Sequence, residues 1–511
     1  MPAVLGRRAC LAVVAALGLV SALGLRTAPA AADVVPASVS TSPTGPAMPS
    51  GFVGVSFEYR ALHEYTGRDP RAIDPVLLSL LRGLVPGQSP IIRIGGNSSD
   101  DSWWPIPGVI PPGGIDYRLT PGWLRTTRAL AADLNAKLIL GVNLAAGSPA
   151  IAATEGRVFA KNIGSRYIDA LEIGNEPDLY PVFPWYRDLR GRVYRRRGPH
   201  YDLRAYTRQF TQWAAALPNL PLAGPGLSGP NWMSGLGGFL GAERRVTLAT
   251  YHRYPLRACT TDPSDPAFPS IPNLLADSAS AGLAAPLGGF VQAAAAHHLP
   301  LRIDEMNSAS CEGKAGVSDT FASALWALDT MFNFARQGVQ GVNFHMLPGS
   351  HYELFSTSRA GPAWQAFVHP EYYGLLMFAQ AFPPGARLLP VSAPAGPLKV
   401  WATAGVDDTV RVVAINQDAT AEHDVALTVP GATAAGSLET LTAPSLDATS
   451  GVAIGGQTFG VQTATGELPA APAATPVSPA GGVYSVPVAP GSATLLTISG
   501  DQGGTGLIAH G

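Results

Sequence analysis

Two short acidic phrases end apolar, strand-like runs in this chain of 511 residues. The first is Leu171-Glu-Ile-Gly-Asn-Glu-Pro-Asp178, and the second is Arg302-Ile-Asp-Glu-Met-Asn-Ser308. Each contains a glutamate, Glu176 or Glu305, where the chain is expected to turn from a strand into a loop. Cleavage of a glycosidic bond uses two carboxyl groups, one to protonate the leaving oxygen and one to attack or stabilise the anomeric carbon. We therefore predict that Glu176 and Glu305 form such a pair.

The elements that must position this pair alternate between strands and helices. Short apolar runs at 52–57, 91–94, 137–142, 168–173, 220–223, 246–249, 301–303 and 341–344 predict strands. Helical spacing occurs between them, at 120–135, 202–216, 283–298 and 318–338. Eight βα repeats predict a closed (β/α)8 TIM barrel, with its chemistry on the loops at the carboxyl ends of the strands. Glu176 then follows the fourth strand and Glu305 the seventh. A doubly wound open sheet is the structural alternative, but the chain lacks the glycine-rich nucleotide-binding turn of such folds.

The alternation of predicted strands and helices stops at about residue 386. Strand-like runs at 398–402, 409–415, 424–429, 436–441, 482–486 and 493–498 are separated by Gly, Pro, Asp and Ser, without helical spacing. This pattern predicts a C-terminal antiparallel β-sandwich. We assign 1–32 to a signal peptide, 33–50 to a segment that adds a strand to the sandwich, 51–385 to the barrel, 386–500 to the sandwich and 501–511 to a flexible tail.

The first 32 residues have the pattern of a secretory signal. Arg7 and Arg8 precede an apolar run at 9–25, and Thr27-Ala-Pro-Ala-Ala-Ala32 supplies small residues for cleavage. We predict a secreted, extracellular protein that has no membrane contact after cleavage, the alternative being an uncleaved membrane anchor. The 34 Lys and Arg residues nearly balance the 36 Asp and Glu residues, and this balance argues against a nucleic-acid partner.

The mature chain would keep two cysteines, Cys259 and Cys311. In an oxidising compartment two such residues favour a disulfide, and both follow predicted barrel strands on the same face. Two separate buried thiols are the alternative.

The motifs around both glutamates resemble glycoside hydrolase family 79, which includes β-glucuronidases and heparanase. The resemblance extends from Leu171-Glu-Ile-Gly-Asn-Glu-Pro177 to Asp304-Glu-Met-Asn-Ser-Ala-Ser310 and Val317-Ser-Asp-Thr-Phe-Ala322. It implies a retaining enzyme of the (β/α)8 clan with a trailing sandwich, in which Glu176 is the acid/base and Glu305 the nucleophile. In such enzymes the two carboxyl groups lie about 5–5.5 Å apart. No cofactor is expected, and the absence of a His-Glu-x-x-His motif argues against a metal site.

Further substrate-binding candidates lie near the predicted strand ends. They are Glu58, Asn97, Asp100, Asn175, His252, Tyr254, Asn343 and His345. For each, packing, a turn or a salt bridge is the alternative to a contact with sugar. The resemblance also implies that the loop after the nucleophile holds the uronate carboxylate, which adds Cys311, Glu312, Gly313 and Lys314. Phe344 departs from the family pattern, because heparanase-like members carry a tyrosine there.

The loop after Glu176 is rich in arginine and aromatic residues. It contains Arg187, Arg190, Arg192, Arg195, Arg196, Arg197, Trp185, Tyr186 and Tyr194. Guanidinium groups suit carboxylates and sulfates, so an acidic glycan is a hypothesis for the leaving-group side, with a solvated, salt-bridged loop as the alternative.

The favoured function is a secreted β-glucuronidase with a carbohydrate substrate. A retaining glycosidase for a neutral sugar and a non-catalytic glycan-binding wall protein are the alternatives.

Overall fold

The computed structural model describes residues 33–499. The predicted signal peptide at 1–32 and the predicted tail at 501–511 lie outside the described residues. Within them, eight parallel strands form a closed barrel. In chain order they are Val53–Glu58, Ile91–Gly95, Lys137–Val142, Ile168–Ile173, Leu222–Leu227, Val246–Arg253, Leu301–Met306 and Val342–Met346. The predicted TIM barrel is confirmed, with Glu176 after the fourth strand and Glu305 on the seventh.

Helices surround the barrel, and short helical turns occupy several loops. The α-helices are Leu62–Thr66, Pro75–Gly83, Asn97–Asp101, Pro121–Leu134, Pro149–Phe159, Leu203–Ala216, Pro230–Met233, Leu236–Ala242, Ile271–Leu275, Ala281–Ala284, Leu287–Ala295, Phe321–Arg336 and Pro370–Ala381. The longer ones begin where the sequence provides a cap. The Thr120 hydroxyl accepts a hydrogen bond from the Trp123 amide at 3.1 Å, and Asp202 accepts one from the Ala205 amide at 2.8 Å.

One predicted helix is wrong in its extent. The span 283–298 was expected to be a single helix, but it divides into Ala281–Ala284 and Leu287–Ala295. Pro286 lies at the junction, and proline lacks the amide hydrogen that a continuous helix would need there. None of the helices within residues 33–499 combines the length and apolar character required to cross a membrane.

The C-terminal region forms two packed β-sheets, as predicted. One sheet has the order Val391–Ser392, Asp33–Val39, His423–Thr428 and Val483–Val488, so the segment after the predicted leader pairs with the C-terminal region. The other has the order Arg387–Leu389, Leu398–Ala404, Val410–Asn416, Ser492–Ile498, Gly436–Thr442 and Ala453–Ile454, with Thr475–Val477 also pairing with Gly436–Thr442. The pairings are antiparallel except that of Asp33–Val39 with His423–Thr428.

The two C-terminal sheets, here called the β domain, pack on the helix Phe321–Arg336, which follows the seventh barrel strand. This helix is buried along almost its whole length. Its first two amides, at Phe321 and Ala322, donate to the carbonyls of Ala448 and Leu446 at 2.8 Å each. Because the first amides of a helix have no partner inside the helix, the β domain completes this helix end.

Glu371, at the start of the helix Pro370–Ala381, is a buried acid whose carboxyl group lacks hydrogen-bond partners within residues 33–499. Its side chain is 1% exposed. Burial therefore raises the pKa of Glu371 well above its ordinary value.

We expect Glu371→Gln to stabilise the protein at pH 8 but not at pH 4.5. The pKa of Glu371 is higher in the folded protein than in the unfolded chain. The free energy of unfolding is therefore unaffected by Glu371 at low pH and decreases as the pH rises through the folded-state pKa. Glutamine does not ionise, so the variant should not show this decrease. The gain at pH 8 should be about 1–3 kcal/mol, measured as a higher unfolding midpoint. Glu467→Gln, at an exposed glutamate, is the control. An equal shift at both pH values would contradict the assignment of a neutral Glu371.

Candidate active site

A cavity of about 670 Å³ opens at the carboxyl ends of the barrel strands. The predicted residues that line it are Glu58, Asn97, Asn175, Glu176, His252, Tyr254, Glu305, Cys311, Glu312 and His345. Several of them lie within strands rather than on the loops expected from the sequence. Each of His252, Glu305 and His345 is the second-to-last residue of its strand, and Glu58 ends the first strand. The strands extend beyond the apolar segments that predicted them. The backbones of these polar residues continue the parallel hydrogen-bond ladder, while their side chains face the pocket.

Glu176 occupies a sharp turn just beyond the fourth strand. Its backbone is left-handed, with φ of 48°, a conformation that costs a residue other than glycine about 1 kcal/mol. The Glu176 amide donates to the carbonyl of Gly226 at 2.9 Å, at the end of the fifth strand, and Pro177 begins a short 3₁₀ turn. The turn is thus held from both sides, with the carboxyl group directed into the pocket.

Glu305 lies among hydrogen-bond donors and positive charges. Arg93 Nη1 donates to Glu305 Oε2 at 2.7 Å, and the Tyr254 hydroxyl donates to Glu305 Oε1 at 2.9 Å. Burial alone would raise the pKa of Glu305, but the positive charges of His345, His252 and Arg93 outweigh it and hold the pKa far below its usual range. Glu305 is therefore an ionised carboxylate, the state required of a nucleophile.

Glu176 has the opposite tendency. Burial raises its pKa, and the negative charge of Glu305 adds to the effect, although a hydrogen bond with His252 opposes both. His252 Nδ1 lies 3.1 Å from Glu176 Oε1 and 3.9 Å from Glu305 Oε2. A carboxyl oxygen of Glu176 lies within 4.8 Å of a carboxyl oxygen of Glu305. An acid with a raised pKa and an ionised carboxylate therefore face each other across a short gap.

Arg93 was not predicted from the sequence, yet it joins the two sides of the site. It lies fully buried on the second strand, where its guanidinium reaches Glu172 Oε2 at 2.8 Å and Asp304 Oδ2 at 3.2 Å. It also donates to the Asn175 side-chain oxygen at 2.8 Å. The available signal was an arginine inside the otherwise apolar run Ile91–Gly95, where only a paired cation is tolerated.

Glu172 and Asp304 form a second buried acid pair beneath the pocket. Glu172 accepts hydrogen bonds from Arg93 and, at 2.8 Å, from the Thr250 hydroxyl, and Arg93 lowers its pKa against the effect of burial. Asp304 has fewer donors, so burial and the charge of Glu172 raise the pKa of Asp304 well above its ordinary value. The proton of the pair therefore resides on Asp304.

The charges balance among eight buried ionisable groups, which are the two glutamates of the pair and six groups around and beneath them. At mildly acidic pH their pKa directions favour three cations (Arg93, His252, His345), three anions (Glu58, Glu172, Glu305) and two protonated acids (Glu176, Asp304). For His252, burial opposes protonation, but Glu305 and its other acidic neighbours raise the pKa to about 9. A balanced cluster avoids the large desolvation cost of an unpaired buried charge.

Two predicted substrate ligands, Asp100 and Asn343, do not line the cavity, and the protein itself uses their side chains. Asp100 is buried and accepts hydrogen bonds from the amides of Leu144, Ala145 and Asn175, as well as from the Tyr180 hydroxyl. Asn343 lies near the start of the eighth strand, below the pocket. Its amide group donates to the carbonyls of Val55 and Ile91, and its oxygen accepts from Arg302 at 2.5 Å.

The loop after Glu305 contributes to the pocket wall only in part. Cys311 and Glu312 line the cavity, both with positive φ, of 62° and 66°. Gly313 and Lys314 were also predicted to bind substrate, but neither is among the lining residues. Gly313 is buried against Ser318 and Tyr352, and the Lys314 side chain is exposed on the surface. The predicted disulfide between Cys259 and Cys311 is confirmed, and it ties this loop to the one after the sixth strand.

The arginines of the loop after Glu176 are largely engaged by the protein. Arg196 pairs with Asp101 at 3.3 Å, and Arg197 donates to the carbonyls of Leu144 and Ala145 at 2.7 and 3.1 Å. Arg195 donates to the Val182 carbonyl at 3.1 Å. Of the arginines singled out in this loop, only Arg196 lines the cavity.

Two groups of side chains within residues 33–499 have the spacing of metal ligands. They are Glu172 with His252 and Asp304, and Glu176 with His252 and Glu305. Arg93 contacts acids of both groups, so it already supplies positive charge where a cation would bind. This favours an ion-pair network over a metal centre.

Comparisons with known proteins agree with this geometry. Residues 400–495 match the model of the glycosyl hydrolase family 79 C-terminal beta domain. A β-glucuronidase of Neurospora crassa is 26% identical over 385 residues, which span 68% of this chain and 66% of that protein.

Solved structures share the fold. A 4-O-α-L-rhamnosyl-β-D-glucuronidase from Fusarium oxysporum 12S has a TM-score of 0.68 and 21% identity, covering 91% of this chain and all of that one. A family 51 arabinofuranosidase from Xanthomonas axonopodis pv. citri has a TM-score of 0.62 and 15% identity, again over 91% of this chain and all of that one.

The fold, the paired glutamates and these likenesses define a glycoside hydrolase. The resemblance to glycoside hydrolase family 79 that the sequence motifs indicate is confirmed.

The acid pair beneath the pocket provides a test of the charge assignment. Asp304→Asn replaces a neutral acid by a neutral amide, so the melting temperature and kcat/KM should change little. Glu172→Gln removes an anion that balances Arg93, and it should destabilise the protein by about 3–5 kcal/mol. Thermal unfolding of both variants measures the difference. Equal damage from the two substitutions would show that the proton is not on Asp304.

Proposed function

We propose that this protein is a secreted, retaining β-glucuronidase. The observation that carries the proposal is the pair of carboxyl groups with opposite protonation tendencies, whose nearest oxygens lie within 4.8 Å. Retaining glycosidases hold their carboxyl groups about 5–5.5 Å apart, whereas inverting enzymes leave about 6.5–9.5 Å for a water molecule. The short gap supports direct attack by Glu305.

In the first step, the Glu305 carboxylate attacks the anomeric carbon. The glycosidic bond breaks, and Glu176 gives its proton to the departing oxygen, which leaves as an alcohol. Glu305 becomes a neutral ester while Glu176 becomes a carboxylate, so the total charge of the cluster is unchanged. Because His252 Nδ1 lies within 4 Å of both glutamates, the same imidazolium stabilises whichever one is ionised.

In the second step, Glu176 acts as the base. It takes a proton from a water molecule whose oxygen attacks the anomeric carbon, and the ester bond breaks with its electron pair returning to Glu305. The two inversions leave the product with the β configuration of the substrate. The cycle ends with the protonation states with which it began.

The glucuronate part of the proposal rests on the Neurospora β-glucuronidase and on donors near Glu305. Tyr352, from the loop after the eighth strand, lines the pocket, and burial raises the pKa of its hydroxyl well above 10, which keeps it a neutral donor. It supplies a phenol hydroxyl to the pocket, whereas Phe344 has no hydroxyl and is fully buried. Together with the amides of the loop at Cys311 and Glu312, Tyr352 offers a site for the C5 carboxylate.

Nitrophenyl glycosides test the proposal directly. We expect 4-nitrophenyl β-glucuronide to be hydrolysed with a kcat/KM at least tenfold above those of the β-xyloside, the β-glucoside and the α-arabinofuranoside. Glu305→Gln should abolish turnover, whereas Glu467→Gln should leave it unchanged. A preference for a neutral sugar would favour the alternative of a neutral-sugar glycosidase, and inactivity on all four would favour a glycan-binding protein.

The stereochemistry can be read from the same reaction. Proton NMR during the first minutes should show the β anomer of glucuronic acid before mutarotation. An α anomer would overturn the assignment of Glu305 as the nucleophile, whatever the sugar specificity.

Export is the remaining part of the proposal. The leader pattern at 1–32 and the disulfide between Cys259 and Cys311 both suit an oxidising extracellular compartment. We expect the exported protein to begin near Asp33, as N-terminal sequencing would show. An intact leader on membrane-bound protein would instead indicate an anchor.

A further inference from the structure

Apolar side chains border the pocket beside Glu176. Leu179, Phe183 and Pro184 line the same cavity as the two glutamates. Phe183 is 53% exposed, although burial is the usual state of a large aromatic side chain. An exposed aromatic ring on a pocket wall provides a surface for another apolar group.

The position of these residues identifies which part of the substrate they would meet. A general acid must lie within about 3 Å of the oxygen that it protonates. The leaving group of the proposed reaction therefore begins beside Glu176, and the chain that follows Glu176 reaches Leu179 three residues later and Phe183 four residues after that. The leaving group, rather than the glucuronate ring, is the part placed against this wall.

Two arginines that follow the wall in the sequence, Arg196 and Arg197, already have partners within the protein. Arg196 is paired with Asp101, and its guanidinium also lies over the rings of Tyr180 and Trp185, at 5.7 and 5.8 Å from their centroids. Arg197 is occupied by backbone carbonyls. An acidic leaving group would therefore have to compete with contacts within the protein.

Contacts within the hairpin that follows Phe183 hold the wall in place. Phe183 directly precedes a hairpin of Pro184–Arg187 and Val193–Arg195, in which the rings of Tyr186 and Tyr194 stack at 4.7 Å. Trp185 Nε1 donates to Asp101 Oδ1 at 2.8 Å. Because the hairpin is fixed in this way, little conformational entropy is lost when a ligand contacts Phe183.

We propose that Leu179, Phe183 and Pro184 form a leaving-group subsite for an apolar aromatic aglycone. The substrate class would be glucuronides of phenols, in preference to acidic glycan chains. This inference rests on the proposed glucuronidase function, and it names the substrate class of that same site.

The test compares three substrates. They are 2-naphthyl β-glucuronide, β-glucuronosyl fluoride, whose leaving group is too small to reach the wall, and an acidic disaccharide with a terminal β-glucuronate. We expect the unmodified protein to favour the naphthyl glucuronide over the disaccharide. Phe183→Ser should lower kcat/KM for the naphthyl glucuronide about 5- to 30-fold, as expected for loss of an aromatic contact, but leave hydrolysis of the fluoride unchanged. Phe183→Tyr should retain most of the activity.

Leu189→Ser is the matched control. Leu189 lies in the turn of the same hairpin, is fully exposed and does not line the cavity, so its replacement should affect none of the three substrates. Equal losses on the naphthyl glucuronide and the fluoride would overturn the subsite, as would a preference for the acidic disaccharide. If the unmodified protein failed to hydrolyse even the fluoride, the proposed function would fall and this inference with it.

Discussion

The Arg93 guanidinium is a cation fully removed from water, and four elements of the barrel meet around it. It contacts Ser56 on the first strand, Glu172 on the fourth, Asn175 beyond the fourth, and Glu305 on the seventh. Removal of an ion from water costs several kcal/mol unless close partners compensate, so this group constrains the side chains around it. Glu305 and the turn that carries Glu176 are both held by one rigid planar donor. The gap between the carboxyl groups of Glu176 and Glu305 thus depends on a residue that does not line the cavity.

The loops above this cluster are supported from outside the barrel. The disulfide from Cys259 to Cys311 joins the segments that follow the sixth and seventh strands, which supply His252, Tyr254 and Glu305. The chain then enters the helix Phe321–Arg336, whose first amides bond to the β domain. The β domain therefore contacts the end of the segment that follows Glu305, although none of its residues within 33–499 lines the cavity.

Much of this arrangement was predictable because it follows from local patterns. The runs 137–142 and 168–173 match strands in the structure residue for residue, since buried parallel strands are continuous apolar segments. Glu176 and Glu305 stand out from the sequence because each lies in a short motif of a few residues. Arg93 and Tyr352 were missed because their roles depend on which strands and loops meet, information that no local pattern contains. The surroundings of Asp100 and Asn343 depend on the same information, because a polar residue near a strand end can face either the pocket or the framework beneath it. Both of these residues face the framework.

The balance of charge around Glu305 also bears on the substrate. A glucuronate would bring one further negative charge into a pocket whose buried cations are already matched by buried anions. Neutral donors can hold such a carboxylate without disturbing that balance, and the hydroxyl of Tyr352 and the amides at Cys311 and Glu312 are of this kind. A new lysine or arginine at the same place would compete with Arg93 and His252 for Glu305 and would alter the pKa of both glutamates. Selection of the sugar and control of protonation are therefore coupled, because both depend on the total charge of the same small volume.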